Sequence, residues 1–490
     1  MKKILITITI SATIIIFLLG FIQFGNSNTY NSTADVVYSI NDIPSDLIKV
    51  GSLTKRQQDF ICAISKGLIE EDINGNMLPA LAESVEISED GIQYEFTIRD
   101  DVYWTNGEKI TPKDIVAFFR QILTEEDEEN IEALLNVYGA REYKNSNLNF
   151  NDVVAITAKD NKVVFRLNSP DDNFLSELSK PQYRVREDVI LWDNINKQYS
   201  NFVYTGDYGI ESMEEGKIIL TRNKKSNAAL PETISIVEDE SEDLALASFE
   251  VGTTDIVVDP PRSELNRLKS ENSIITLPSN NAVYLAFNLR DQFVPIEGRK
   301  SLYYEVTKAL NEFANKNTAA VVMSEYSYFR DYDDLEKLQA RKVMTNSQDE
   351  WHDEGNVVLI CEKNVANKEL ANAISSWFEK NTDLSLIIRL VEKDQYKEVI
   401  ESGDYDMALV NLEVTENYQD ELYDTVSEYL PDTAMEVWSS EEESVEEELF
   451  NNYSIVPLIF YNENIAINKG IHGITLDNNG NIRFSEIRKQ

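Results

Sequence analysis

Histidine and cysteine are scarce in this chain, which has only two of each in 490 residues. The histidines are His352 and His472, and the cysteines are Cys62 and Cys361. Four such residues, spread along the chain, cannot build the usual metal cluster of His and Cys ligands. Both cysteines stand in apolar stretches and are expected to be small buried hydrophobic residues. We therefore predict no metal site and no cofactor.

Basic residues are few relative to acidic ones. The sequence has 45 Lys and Arg against 86 Asp and Glu, which gives a formal net charge of −41. Because contact with nucleic acid phosphates requires a basic surface, this balance excludes nucleic acid as a partner. Such an excess of acid is typical of a soluble exported protein whose molecules repel one another.

Motifs of common catalytic sites are missing. The sequence has no Gly-x-Ser-x-Gly elbow, no Gly-x-x-x-x-Gly-Lys phosphate loop and no His-Glu-x-x-His pair. A Ser-His or Cys-His relay would need one of the two histidines. His352 stands in a polar linker and His472 beside a tight turn, so neither is an obvious general base. The sequence therefore does not predict an enzyme.

Long apolar runs are confined to the start of the chain. After Met1-Lys2-Lys3, an uninterrupted run of apolar, small and hydroxyl residues extends from Ile4 to Ile22. This pattern is typical of an export signal or a membrane helix. The run is near the length that spans a bilayer. Residues 1–28 are thus either an uncleaved signal anchor or a signal peptide cleaved near Phe24–Asn28. In both cases the body of the chain is exported to the extracytoplasmic face of the cell membrane.

The stretch Met77–Leu123 shows its local structure in the sequence. Apolar and polar residues alternate over Ile92–Ile98, which predicts a strand with one buried face. Asp90-Gly91 predicts the turn before this strand and Asn106-Gly107 the turn after it.

A helix is predicted to follow at Thr111-Pro112-Lys113-Asp114. The Thr is a good cap, Pro fits the first helical position, and Asp is favourable in the first turn. Four apolar residues at helical spacing then give the helix one buried face, namely Ile115, Phe118, Phe119 and Ile122.

The order of these pieces resembles that of one family. Pro-Ala-Leu-Ala-Glu-Ser, a strand, Asp-Gly, a strand ending in Arg, Trp-x-Asn-Gly and Thr-Pro-x-Asp follow one another as in extracellular solute-binding proteins of family 5. These are the oligopeptide and dipeptide receptors of ABC importers. The resemblance implies an α/β, two-lobe fold like that of periplasmic binding proteins (class II, cluster C), with an extra small α+β domain in the first lobe. It also implies a peptide ligand, and permease and ATPase subunits as partners.

Further stretches extend the resemblance over roughly Asp35–Glu486. The turn Asn201–Tyr208 keeps the family's Gly206 and Tyr208, but it has Asp207 where Pro is usual. The implied domains are a first lobe at 34–281 with its small domain at about 56–149, a second lobe at 282–461, and a return to the first lobe at 462–490. This layout puts the two cysteines in different lobes, so we expect no disulfide.

Secondary structure is also predicted outside the signature. Helices are expected at Gln57–Ile69 and Ile131–Tyr143, and a hairpin around Asp160-Asn161. Between Val357 and Val410 strands and helices alternate as β-α-β-α-β, which predicts a parallel sheet covered by helices.

The resemblance also indicates candidate ligand-binding residues. The family closes its two lobes around a peptide, and relatives pair the peptide's ammonium with an Asp in "Gly-Trp-x-x-Asp-Tyr-x-Asp-Pro". Here Gly-Trp and Pro are missing, and the carboxylates near this position belong to Glu413, Glu416 and Asp420. A solvated acidic loop is the alternative, and one sequence does not fix the register. Asn288, which ends the crossing strand, and Tyr138 are further candidates.

Other departures from the family leave a second function open. No lipobox cysteine follows the amino-terminal run, and Asp420–Glu448 holds twelve acidic residues with no Lys or Arg. Such a run is typical of a solvated segment, so the second lobe is expected to be trimmed. The alternative is a degenerate, surface-anchored interaction or sensing protein with no transport role.

Overall fold

The structure is a computed structural model that describes residues 35–72, 74–146, 148–289, 295–330, 356–412, 422, 425–430 and 445–489. The predicted signal or anchor and most of the acidic segment 420–448 lie outside these ranges. The chain divides into two compact units. The first is Met1–Pro260 with Ala466–Gln490, and the second is Pro261–Ile465. The lobe boundaries given above stay predictions.

The strands in chain order are β1 (Val36–Ile40), β2 (Ile69–Glu71), β3 (Met77–Pro79), β4 (Ala82–Ile87), β5 (Gln93–Ile98), β6 (Ile156–Lys159), β7 (Lys162–Arg166), β8 (Tyr208–Glu214), β9 (Lys217–Arg222), β10 (Thr233–Glu238), β11 (Ile256–Val258), β12 (Ile274–Phe287), β13 (Val321–Met323), β14 (Asn356–Glu362), β15 (Ser385–Val391), β16 (Met407–Leu412), β17 (Ile455–Ile467), β18 (Ile471–His472) and β19 (Arg488–Lys489). The helices are α1 (Lys55–Ile64), α2 (Pro112–Glu125), α3 (Glu132–Leu135), α4 (Ala140–Lys144), α5 (Phe150–Val153), α6 (Phe174–Leu178), α7 (Ile195–Gln198), α8 (Glu242–Glu250), α9 (Leu265–Ser270), α10 (Ile296–Lys316), α11 (Val365–Asn381), α12 (Lys393–Ser402) and α13 (Val445–Asn451). Short 3-10 helices include Val50–Ser52, Glu128–Ile131, Pro181–Tyr183, Val189–Asn194, Tyr199–Asn201, Arg262–Glu264 and Phe484–Glu486.

The signature stretch folds as its residues predict. Strands β4, β5, β7 and β6 form an antiparallel sheet in that order. Helix α2 begins with a capping box between Thr111 and Asp114, with Pro112 in its first turn. The apolar face of α2 is buried in the same hydrophobic core as the inward-facing residues of β5. The structure thus confirms the predicted strand and the predicted start of the helix. Burial of one apolar face stabilises both elements.

The first unit also contains a mixed sheet with the strand order β11-β1-β10-β9-β8. Strand β1 is parallel to both β10 and β11, whereas β10, β9 and β8 pair antiparallel. The hairpin predicted around Asp160-Asn161 is present as β6 and β7, and Asp160 adopts a left-handed φ of 51° at its tip.

Two predicted helices differ from those in the structure. The first, at Gln57–Ile69, stops at Ile64 in the structure, and Ile69 already belongs to β2. The second, at Ile131–Tyr143, is split into α3 and α4 by Gly139, which has a φ of +78°. A Cβ at this glycine would lie only 1.8 Å from the carbonyl oxygen of Val153. The close approach and the left-handed backbone both require glycine, and that conformation breaks the helix.

The second unit has a sheet with the order β15-β14-β16-β12-β17, and β13 pairs antiparallel with β17. Strand β14 is parallel to both β15 and β16, whereas β12 is antiparallel to β16. Helices α11 and α12 connect the parallel strands, so the predicted β-α-β-α-β run is confirmed. The core packs the apolar faces of α10 and α11 with the central strands.

Both cysteines are free thiols. Cys361 is buried in β14 as predicted, but Cys62 is only partly buried. Within the described ranges, no helix is both long enough and apolar enough to cross a bilayer.

Candidate functional site

The predicted ligand-binding residues fall into two groups. Glu413, Glu416 and Asp420 lie outside the described residues. Asn288 is 3% exposed, and its Nδ2 donates to the carbonyl oxygens of Gly403 at 2.7 Å and Tyr405 at 2.9 Å. Its side chain therefore fixes the turn that precedes β16.

Tyr138 belongs to the first unit. Its side chain is 59% exposed, and its backbone amide donates to the carbonyl oxygen of Arg166 at 2.8 Å. The proposed roles of Asn288 and Tyr138 in ligand binding stay predictions.

A polar cavity of about 360 Å³ lies within the first unit, and we call it the first-unit cavity. Its charged lining residues are Lys66, Glu70, Arg99, Asp101, Asp207, Lys225 and Arg483. Uncharged groups complete the lining, among them Tyr103, Thr205, Asn223, Ser226, Asn227 and Ser485. Segments far apart in the sequence meet here: the end of α1, the end of β5, the turn before β8, the turn after β9 and the carboxyl-terminal return.

The turn 205–207 is held against the end of α1. The backbone amide of Gly206 donates to the carbonyl oxygen of Ile64 at 2.8 Å. A Cβ at Gly206 would lie 2.3 Å from the carbonyl carbon of Ile64, so no other residue fits without movement of backbone. The hydroxyl of Thr205 accepts from the amide of Lys66 and donates to the carbonyl of Val185, both at 2.9 Å. Close packing against the end of α1 therefore requires a glycine at position 206.

This turn places the Asp207 carboxylate in the cavity wall. Its Oδ1 accepts from Lys66 Nζ at 3.0 Å and from Ser226 Oγ at 2.7 Å. The carboxylate is 14% exposed and the Lys66 side chain 32% exposed. An ion pair that is partly buried, and whose carboxylate also accepts from a hydroxyl, is screened less by solvent than a pair at the surface.

A second ion pair lies at the rim. Arg99 donates from Nε and Nη2 to the two carboxylate oxygens of Asp101, both at 2.8 Å. Arg99 thereby lowers the pKa of the Asp101 carboxyl, and Asp101 raises the pKa of the guanidinium. Because Asp101 is 68% exposed, solvent screens most of this interaction.

Lys225 lies at another part of the lining. Its Nζ is 5.0 Å from the ring centroid of Tyr103, which is cation–π distance. The neighbouring turn is built by asparagine side chains. Asn223 Oδ1 accepts from the amide of Lys225 at 3.1 Å, and Asn227 Oδ1 accepts from the amide of Ala229 at 3.0 Å.

Behind the cavity, Glu70 joins a buried group of charges. Its carboxylate lies 3.2 Å from Arg184 Nη1 and 3.9 Å from Arg483 Nη2. Arg184 also lies 3.8 Å from Asp477. Burial raises the pKa of the Asp477 carboxyl to about 6, and the charge of Arg184 only partly opposes that rise.

The lining of this cavity is rich in charged and polar groups. Its lining residues, all of which are described, include no histidine or cysteine. Among the described residues no group of three His, Cys, Asp or Glu side chains is placed to hold a metal ion. The available chemistry is ion pairing and hydrogen bonding to a polar ligand.

Sequence analysis did not identify the first-unit cavity. One signal pointed to it: Asp207 replaces the Pro that the family resemblance predicts. The other charged residues come from segments at opposite ends of the chain, such as Lys66 and Arg483. Only the fold brings these segments together.

The fold agrees with known peptide-binding proteins. The Escherichia coli periplasmic murein tripeptide-binding protein MppA, in its unliganded open form, superposes with a TM-score of 0.64 at 16% identity. The match covers 94% of this chain and 98% of that protein. The predicted α/β fold of the periplasmic binding proteins is therefore confirmed.

The sequence comparison identifies the family. Residues 76–427 match the model of bacterial extracellular solute-binding proteins, family 5 (middle region). This chain belongs to that family, as the resemblance of the signature stretch predicted.

Curated relatives match over part of their length. A dipeptide-binding protein of Lactococcus lactis is 26% identical over 211 residues, which are 41% of this chain and 38% of the relative. The oligopeptide-binding protein AliB of Streptococcus pneumoniae is 24% identical over 321 residues, which are 61% of this chain and 47% of the relative. The matched segments thus span less than half of these two relatives.

Proposed function

We propose that this chain is the extracytoplasmic substrate-binding component of a peptide ABC importer. The observation that carries this proposal is the family 5 match over residues 76–427. Two relatives that each match part of this chain are named for dipeptide or oligopeptide binding, which favours a peptide over other solutes. The protein would capture its peptide by closure of its two lobes and deliver it to permease and ATPase subunits.

The amino-terminal run Ile4–Ile22 would hold the receptor at the membrane, or a peptidase would release it. An importer's receptor in a cell with one membrane needs some attachment, because a freely diffusing receptor is lost to the medium. Since no lipobox cysteine is present, an uncleaved helix would supply that attachment.

The carboxylates of Glu413, Glu416 and Asp420 are the proposed partners of the peptide's amino end. A buried ammonium is costly unless a carboxylate pairs with it. Among the three we favour Asp420, whose Tyr-x-Asp setting is similar to the family's, although the residue before that Tyr in relatives corresponds more nearly to Glu416.

The experiment is a thermal-shift screen of the intact chain against a mixed peptide library, followed by calorimetry on each hit. A ligand present at 100 times its Kd stabilises the native state by about 2.7 kcal/mol, which raises Tm measurably. Nickel, haem and sugars are the comparison ligands. No stabilisation by any peptide would contradict the proposal.

A surface interaction or sensing protein is the second candidate. Loss of the Gly-Trp pair and the acidic run Asp420–Glu448 favour it. Cross-linking on intact cells separates the two functions, because an importer receptor must be captured with a permease subunit. Capture with other surface proteins alone would favour the second candidate.

A further inference from the structure

Strand β15 lies at the edge of the sheet in the second unit. Within the described ranges it pairs with β14 alone, in parallel and over its whole length Ser385–Val391. The pairing has no bulge, and the strand contains no proline and no lysine. Soluble proteins usually place such features on sheet edges, because the unpaired N–H and C=O groups of an edge recruit another strand. The edge strand β8 of the first unit has one, since its register shifts between Ile210 and Ser212.

The hydrogen bonds to β14 show which backbone groups of β15 point away from the sheet. Val391 lies opposite Glu362, and its carbonyl oxygen accepts from the amide of Lys363 at 2.8 Å. In a parallel ladder every second residue directs both its N–H and its C=O to the same neighbouring strand. Val391 and every second residue before it therefore bond to β14. The residues whose N–H and C=O groups point to the outer edge are Leu386, Ile388 and Leu390.

The side chains of this edge are mostly apolar. Ile387 is 44% exposed, whereas the side chains of the three outward-bonding residues are partly buried against the core of the second unit. The one charged side chain of the strand is Arg389, and its guanidinium donates to the carboxylate of Asp404 at 2.8 Å and to the carbonyl oxygen of Asp404 at 2.5 Å. The edge thus offers backbone groups and apolar surface, which suit another strand.

A second copy of β15 can satisfy this edge with two-fold symmetry. If two β15 strands run antiparallel with Ile388 opposite Ile388, Leu386 of each copy lies opposite Leu390 of the other. All three pairs then join outward-pointing residues, and each pair exchanges two hydrogen bonds. An axis at Leu386 or Leu390 would instead place the other two outward residues opposite positions beyond the end of the strand. The two-fold register centred on Ile388 is therefore the one that uses the whole edge.

The same register brings opposite charges together. Asp383 lies two residues before the strand and Lys393 two residues after it, and both are exposed. With Ile388 on the axis, Asp383 of each copy lies opposite Lys393 of the other, and symmetry produces this contact twice. The formal net charge of −41 makes two copies repel at long range. This local match nevertheless favours a second copy of the chain as the occupant of the edge.

We propose that β15 is a dimerisation edge, through which two copies of this chain join their second-unit sheets in antiparallel pairing about Ile388. Because each copy contributes one strand, the interface is small and the dimer is reversible. This dimer does not depend on peptide binding.

Sedimentation equilibrium of the intact chain, in detergent micelles of matched density, measures the dimer. Salt at about 0.15 M gives a Debye length of about 8 Å, which screens long-range repulsion but leaves charges that lie opposite each other. A reversible equilibrium between monomer and dimer is expected. A chain that stays monomeric up to about 100 μM would overturn the proposal.

Ile388→Pro tests the backbone pairing. It removes an N–H that points to the outer edge, so the ladder with β14 keeps its bonds, and proline is tolerated at such edge positions. The central pair loses both of its hydrogen bonds, and the dimer should weaken by at least about tenfold. Ile388→Val is the matched control, because it keeps the N–H and should change the dimerisation constant by less than about twofold. Equal effects of the two variants, in proteins with unchanged Tm, would refute the pairing.

A charge swap tests the register. Asp383→Lys places a lysine opposite Lys393 and should weaken the dimer by about fivefold, although it makes the chain less negative. Lys393→Asp should weaken it by a similar factor. The double variant keeps the net charge and reverses both contacts, so its dimerisation constant should lie within about twofold of that of the unaltered chain. A double variant that is as weak as the two single effects combined would contradict this register.

An extended peptide is the other kind of strand that fits this edge. If a peptide occupied it, added peptides would dissociate the dimer, and Ile388→Pro would bind peptides more weakly than the unaltered chain does. These two results would overturn the proposal. We expect instead that Ile388→Pro binds peptides as the unaltered chain does. A dimer without any peptide binding would contradict the importer function alone, and peptide binding by a chain that stays monomeric would contradict the dimer alone.

Discussion

The side chains of Thr111 and Asp114 each accept a hydrogen bond from the other residue's backbone amide at the start of α2. The amide of Asp114 donates to Thr111 Oγ1 at 3.4 Å, and the amide of Thr111 donates to Asp114 Oδ2 at 2.8 Å. The first bond gives the amide of Asp114 a second acceptor beside the carbonyl oxygen of Thr111 at 3.1 Å, and the second bond satisfies the amide of Thr111. They also fix where the turn after β5 ends and the buried face of α2 begins.

Thr111→Ala should therefore lower the free energy of unfolding by about 1 kcal/mol, because it removes the hydroxyl that bonds both the amide and the carboxylate of Asp114. Thr111→Ser is the matched control, since it keeps the hydroxyl and should retain most of the stability. Chemical denaturation measures both. An alanine variant as stable as the serine variant would show that the cap contributes nothing.

Gly206→Ala should destabilise the first unit by more than about 2 kcal/mol. The new Cβ would lie 2.3 Å from the backbone of Ile64, and two backbone segments would have to separate. Gly107→Ala is the comparison: its glycine has a φ of +90° but open space around it, so only backbone strain of about 1 kcal/mol is expected. If thermal unfolding showed Gly107→Ala to be more destabilising than Gly206→Ala, the close contact between Gly206 and Ile64 would not be the reason for glycine at this position.

The elements that the sequence predicted are those with a local cause. The alternation over Ile92–Ile98, the cap at Thr111 and the β-α-β-α-β run each depend on neighbouring residues. The early end of the helix at Ile64 and the break at Gly139 depend on tertiary contacts, as the close approach of Val153 to Gly139 shows. The first-unit cavity depends on such contacts entirely, since Lys66, Asp207 and Arg483 meet only in the folded chain.

Asp477 should make stability depend on pH between about 4 and 6. Its pKa in the folded chain is about 6, above the ordinary 3.8, so the folded state binds the proton first as the pH falls. The contribution to the free energy of unfolding therefore rises as pH falls through this window, by up to about 3 kcal/mol. Burial also raises the pKa of Asp59, which acts in the same direction.

Asp477→Asn removes the titrating group, so its unfolding free energy should change less between pH 7 and pH 4 than that of the unaltered chain. Asp101→Asn is the control. The pKa of Asp101 is lowered, so its contribution changes below this window. Parallel pH profiles of the unaltered chain and Asp477→Asn, measured by urea denaturation, would contradict the assignment.

The amino-terminal run is expected to remain attached to the chain. If Ile4–Ile22 is an uncleaved anchor, the protein stays in the membrane fraction and terminal sequencing finds the initiating segment. Extraction with detergent but not with high salt would be consistent with insertion. A mature chain that begins between Gly25 and Thr33 would show cleavage instead.

The last prediction concerns the amino end of the peptide. If Glu413, Glu416 or Asp420 pairs with the ammonium, replacing that residue with its amide should weaken peptide binding by several kcal/mol, because the ammonium is left buried without a partner. Acetylated peptides, which lack the ammonium, should bind weakly to the unaltered chain and be little affected by the same substitution. Glu401→Gln, an exposed carboxylate at the end of α12, is the matched control. Calorimetry with paired free and acetylated peptides measures the coupling.

If none of Glu413→Gln, Glu416→Gln and Asp420→Asn weakens binding, and acetylated peptides bind equally well, the chain does not recognise the amino end through these carboxylates. Peptide recognition would then rest on other residues, and complete absence of peptide binding would favour the surface-interaction function.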